Sequence, residues 1–135
     1  MRGRKPFVIV SDNDHPVRSP RAPATLGDVG KAEWRKVVPA LAASGVLTEE
    51  MKTILTLYCE AVEGASDCAK ILRKEGRIVH RRGQPPRAHP AVRQHLQYQA
   101  MALRYAESLG ITATAKARQS KNKEGTNGSV ASVFD

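Results

Sequence analysis

The sequence predicts a small, mainly α-helical protomer: a helical-hairpin core of three main helices, a short β-hairpin between the second and third, and flexible basic tails. Three observations carry this reading. Apolar residues recur at helical spacing in three runs between Leu26 and Thr112. Each run is bounded by the proline, glycine and hydroxyl residues that start and stop helices. Between the second and third runs lies "GRIVHRRGQPPRAHP", Gly76 to Pro90, which holds four arginines, two histidines and no acid.

Residues 1–25 contain five basic residues and four prolines with no sustained apolar period, so they read as a flexible basic arm. The first helix follows from Trp34, Val37, Val38 and Leu41, with Asp28 as its expected N-cap and Gly45 as its stop. Pro39 has no N–H to give Arg35, which predicts a kink or break there. Thr48 is the expected cap of the second helix, whose first turn carries Glu49 and Glu50, the favoured sign at that end. This helix should run about 40 Å, to Gly76.

Its apolar residues repeat in sevens, with Met51, Tyr58, Ala65 and Leu72 in one row and Ile54, Ala61 and Cys68 in the next. Cys59 and Cys68 are nine residues apart, hence on opposite faces. They form neither a disulfide nor a shared metal site and read as small buried hydrophobes. After a hairpin at about 77–89, His89-Pro90 opens the third helix and Gly110 closes it. Residues 26–112 are thus the helical core and oligomerisation domain; residues 113–135 are a short basic segment and a flexible C-terminal tail.

The third helix carries an apolar arc through Val92, Leu96, Tyr98, Met101, Ala102, Leu103, Tyr105 and Leu109, wider than two neighbouring helices can cover. Self-association is the expected use of the surplus, with Tyr98, Met101, Ala102, Tyr105 and Leu109 as candidate interface residues. The competing reading leaves the small residues Ala100, Ala102 and Ala106 at a tolerated surface.

With 22 Lys+Arg against 13 Asp+Glu, net +9, the chain favours polyanionic partners, nucleic acid before membrane. No secretory leader or apolar span is read in it. From Thr48 to Glu75 there are four basic and six acidic residues, so the cations concentrate elsewhere. The candidates for phosphate contact are Arg2, Arg4, Lys5, Arg18 and Arg21 in the arm, Arg77, Arg81, Arg82 and Arg87 in the hairpin, and Lys116, Arg118, Lys121 and Lys123 beyond the third helix. The "RGRKP" of residues 2–6 is similar to a degenerate minor-groove arm and equally to a solvated basic terminus.

The chemistry-bearing alternatives are weak. No phosphate-binding glycine loop is present. A hairpin with His80 and His89 before a helix bearing His95 superficially resembles a nuclease metal site, but no acid lies between Glu75 and Glu107 to complete it. A helix-turn-helix would present Glu49 and Glu50 to phosphates, so an ordinary helical hairpin is the better reading. No catalytic residue, metal or cofactor is expected.

The order of landmarks is informative: "GRKP", a tryptophan, "PALAASGVLT", "YCEAV", the hairpin, "HPAV" and "YAESLGITATAKARQ". Over about residues 3–118 the chain resembles a small terminase subunit of tailed bacteriophages. It departs at Ala113, where a proline is expected after "GIT". The resemblance implies a non-catalytic, ring-forming protein in the cytoplasm of the infected bacterial host. It implies that the ring recognises double-stranded viral DNA for packaging and regulates the large ATPase/nuclease subunit.

On that reading the hairpin arginines are either a phosphate contact multiplied around a ring or a clasp onto Glu60, Glu63 and Asp67 of a neighbouring subunit. Val130, Val133 and Phe134, the apolar cluster of the tail, are candidates for docking the large subunit. The alternative function is a small basic DNA-binding transcriptional regulator, which as a dimer would differ in stoichiometry.

Overall fold

The computed structural model describes residues 19–131, and within them the side chains of all but Lys123 and residues 126–131. The elements follow as α1 (Asp28–Ala43), α2 (Glu49–Glu75), β1 (Ile78–Val79), β2 (Arg87–Ala88), α3 (Pro90–Leu109) and α4 (Ala113–Ala131). The protein is mainly helical, with three core helices and the expected hairpin between the second and third.

Before α1, residues 19–26 form a strap rather than the end of a free arm. The buried Trp34 indole donates its N–H to the Pro20 carbonyl at 2.8 Å, and Leu26 is sealed in the core with Ala22 packed against it. A buried indole N–H needs an acceptor, and the strap supplies one. The packed body therefore reaches beyond the boundary expected at Leu26.

Trp34, Val37, Val38 and Leu41 give α1 its buried face, as their spacing requires. Two expectations for α1 are corrected. Its N-cap is Gly27, not Asp28: the Gly27 N–H donates to Glu63 Oε2 at 2.9 Å, so a carboxylate from α2 serves the end that a local side chain was expected to cap. Of the kink or break expected at Pro39, there is no break: the helix runs on to Ala43. The proline is exposed and one turn from the end, so the single backbone bond it removes leaves a carbonyl that water can reach.

Thr48 caps α2 as expected, accepting from the Met51 N–H at 3.4 Å. Both other core helices pack on α2, each antiparallel to it. Tyr58 donates to Glu33 Oε1 at 2.9 Å across the α1 seam. Across the α3 seam His95 Nδ1–H donates to the Ala65 carbonyl at 3.0 Å, and the Tyr98 ring lies so close over Gly64 that an added Cβ would sit 2.7 Å from it. The cysteines obey the nine-residue argument: Cys59 joins Leu55 in the cluster with Trp34, Val37, Val38 and Leu41, whereas Cys68 is buried outside that cluster.

Gly110, at φ +72, ends α3 in the left-handed region that favours glycine. Where a flexible tail was expected, α4 follows as a helix of 19 residues. Thr112 starts it, accepting from the Ala115 N–H at 3.2 Å. Ala113 takes the first helical position, where proline is favoured and alanine, the strongest helix former, serves as well. No described side chain of α4 is buried.

Candidate nucleic-acid interface

The cationic hairpin is built from its base outward. Gly76 ends α2, and the two strands pair Ile78 with Ala88 and Val79 with Arg87. The His89 N–H to Arg77 carbonyl bond, 2.8 Å, extends the ladder, and a turn from Arg81 to Gln84 closes the tip at 3.1 Å. His89 fixes the exit: its Nδ1 accepts the Ala91 N–H at 3.0 Å, which leaves Nε2–H to donate to Glu75 Oε2 at 2.7 Å. One side chain thus caps α3 and ties it to the end of α2.

This bracket holds Arg77, Arg81, Arg82 and Arg87 out from the body, all exposed and none paired with an acid among the described residues. The last two acids of α2 before the hairpin are already engaged, Glu75 by His89 and Asp67 by Lys70. A guanidinium cluster held on a short protrusion with no acid partner among the described residues suits phosphate, which it meets in bidentate fashion.

Arg21 is exposed on the strap, and Lys116, Arg118 and Lys121 are exposed on α4. Arg2, Arg4, Lys5 and Arg18 lie outside the described residues, as do Val133 and Phe134; Lys123 and Val130 lie on α4, their side chains outside the described ones. The sequence reading missed Lys31 and Arg35, two further cations at i, i+4 on α1 without an acid partner among the described residues. Their signal was the helix face itself, outweighed by the denser charge of the hairpin and tails.

The apolar surplus of α3 is distributed differently from the expectation. Leu109 is 1% exposed and belongs to the protomer's own core, so it offers nothing to a second copy. Tyr98 is half-buried over Gly64, and Ala102 and Tyr105 are half-buried. Met101 is exposed, and Leu96 and Leu103, seven residues apart on one face, are 59% and 58% exposed. Leu57 and Ile71 on α2 and Ile78 on the hairpin add to the uncovered apolar surface.

The sequence of residues 30–126 matches the family described as phage terminase, small subunit. The chain belongs to that family. Its landmarks from the α1 tryptophan to the basic start of α4 fall within the matched span, and membership carries the phage DNA-packaging role. No curated protein and no solved structure matches the chain.

Two titratable groups in the interior of this terminase subunit, Tyr58 and Cys59, are raised by burial. Burial, with the carboxylates of Glu33, Glu60 and Glu63 adding to it, pushes the Cys59 thiol up to about 12. Burial and the hydrogen bond to Glu33 likewise hold Tyr58 protonated well above the usual phenol range. A thiol so raised is a poor nucleophile and a poor ligand at neutral pH. Among the described residues no three His, Cys, Asp or Glu side chains converge as a metal site would require. His95 is spent on a backbone carbonyl and His89 on the bracket. No helix among them is long and apolar enough to cross a membrane.

Proposed function

We propose that this terminase small subunit is a non-catalytic, ring-forming protein that recognises double-stranded viral DNA and regulates the large ATPase/nuclease subunit in the cytoplasm of the infected host. The hairpin, whose arginines pair with no acid among the described residues, carries the reading. Four exposed arginines, repeated in every subunit of a ring, turn a weak phosphate contact into a strong one. Arg21 on the strap and Lys116, Arg118 and Lys121 on α4 extend the cationic surface, with Arg2, Arg4, Lys5, Arg18 and Lys123 as the remaining contacts.

The ring is assigned to the uncovered apolar residues of α3, Leu96 and Leu103 on one side of the helix and Met101 on the other, with the half-buried Tyr98, Ala102 and Tyr105 beside Met101. Docking of the large subunit is assigned to Val130, Val133 and Phe134. The clasp onto a neighbour's helix two is the weaker use of the hairpin, because Glu63, one of its three proposed acids, already caps α1.

The test is duplex binding by fluorescence anisotropy over a salt series, for the wild type and for a variant with Arg77, Arg81, Arg82 and Arg87 all changed to Gln. The wild type should lose affinity steeply with salt, and the variant should bind all duplexes more weakly with a shallower slope and unchanged native mass. Salt-insensitive wild-type binding would overturn the electrostatic account. Loss of the oligomer in the variant would assign the hairpin to the clasp.

A further inference from the structure

Trp34 lies beneath the strap, and the strap leaves a groove on each side of it. The two grooves differ in charge. The larger, about 520 Å³, includes Glu49 and Glu60 among its walls beside Arg21 and Lys52. The other, about 360 Å³, gathers Arg21, Lys31 and Arg35 around an apolar floor of Trp34, Val38 and Pro39, and no acid among the described residues lines it.

None of these three cations takes part in an ion pair among the described residues, whereas Lys36, Lys52 and Lys70 each stand beside an acid one turn away. Lys31 and Arg35 are also like charges at i, i+4, an arrangement that disfavours the helix unless an anion sits between them. Lys31 is half-buried, so part of its stem already lies against the body, and among the described residues it has no acid partner. The chemistry of the groove is that of a phosphodiester site, with cations for the phosphates and an apolar wall for the sugars.

We propose that this groove is a phosphate-binding site of the folded body, in which Arg21, Lys31 and Arg35 hold the backbone of duplex DNA. The Trp34–Pro20 bond fixes the strap at its edge, and the sequence before Ser19 adds four further cations, Arg2, Arg4, Lys5 and Arg18, to the same end of the chain. A polyanion satisfies the groove and the arm together. An acidic protein surface would leave the arm cations unused, which is why DNA is the assigned occupant. The proposal rests on the DNA-binding reading above but places the contact on α1, away from hairpin and tails.

The test compares full-length wild type, the double variant Lys31→Gln/Arg35→Gln, and Lys36→Gln, a control on the same helix outside the groove, using a labelled duplex over a salt series. The double variant should bind about tenfold more weakly at physiological salt, with a slope shallower by about one for each phosphate no longer neutralised and the native mass unchanged. Lys36→Gln should bind as the wild type does. If the wild type binds DNA and the double variant matches it in affinity and slope, the groove is not a DNA site although the DNA-binding reading stands. If the wild type does not bind duplex at all, both fall. Unchanged duplex binding together with failure to capture the large subunit would give the groove to an acidic protein surface and overturn the proposal.

Discussion

The helices α3 and α4 are nearly equal in length, 20 and 19 residues, yet they are helices for different reasons. In α3, Ala91, Ala106 and Leu109 are buried while Leu96 and Leu103 stand open on another face. In α4 no described side chain is buried, and Lys116, Arg118 and Lys121 all reach solvent. One is held by packing and has apolar surface to spare; the other rests on a Thr112 cap and on strong local formers such as alanine, lysine and glutamine. The difference separates a packed body with apolar surface to spare from an exposed cationic appendage.

The largest expected effect breaks the body. Leu55 is fully buried between α1 and α2, so Leu55→Ala should cost about 3 kcal/mol, read as a fall in the urea midpoint. Ala117→Pro, which interrupts exposed α4, should reduce helical ellipticity yet shift the melting temperature by less than about 2 °C. A comparable loss of stability from both substitutions would make α4 part of the body.

A smaller effect tests the cap that joins the first two helices. Glu63→Ala removes the acceptor of the Gly27 N–H and a carboxylate from the start of α1, and should cost about 1 kcal/mol in the same urea assay. The strap sharpens the boundary of the body in a related way. Deleting residues 1–18 should leave the melting temperature unchanged, whereas deleting residues 1–21 also removes the Pro20 carbonyl from Trp34 and should lower it. Equal melting temperatures for the two truncations would mean that the strap is only a continuation of the arm.

The last effect is a pH dependence confined to alkaline conditions. The Cys59 thiol has an ordinary value of 9.0 and stands at about 12 in the fold, chiefly through burial. Its contribution is therefore whole below pH 9 and is lost as pH climbs from 9 towards 12, where the unfolded chain ionises first. Urea midpoints across that range should fall less steeply for Cys59→Ala than for the wild type. Identical slopes would show that the thiol does not sense folding.

The parts of the fold held by packing were the legible ones. The seven-residue rows of α2, the Thr48 cap, the His89-Pro90 start and the Gly110 stop all rest on local chemistry that the sequence displays. What escaped was tertiary or marginal. Asp28 lost the capping role to Glu63, 36 residues away from Gly27, and the strap's order depends on an indole finding a distant carbonyl. Helix α4 lacks an apolar stripe, so periodicity could not reveal it, and Gly125 and Gly128 made the segment look like a tail. In the candidate site the hairpin arginines were visible as a charge run without acids. Lys31 and Arg35 were not, because it is the strap that brings Arg21 beside them.

The apolar face left open on α3 is the strongest statement the body makes, and native mass tests it most directly. Light scattering after size exclusion at micromolar concentration should give a closed assembly of more than four 14.7 kDa subunits, reduced towards the monomer by Leu96→Glu/Leu103→Glu with helical ellipticity retained. A wild-type monomer or dimer would contradict the ring and return the protein to the reading of a small dimeric regulator.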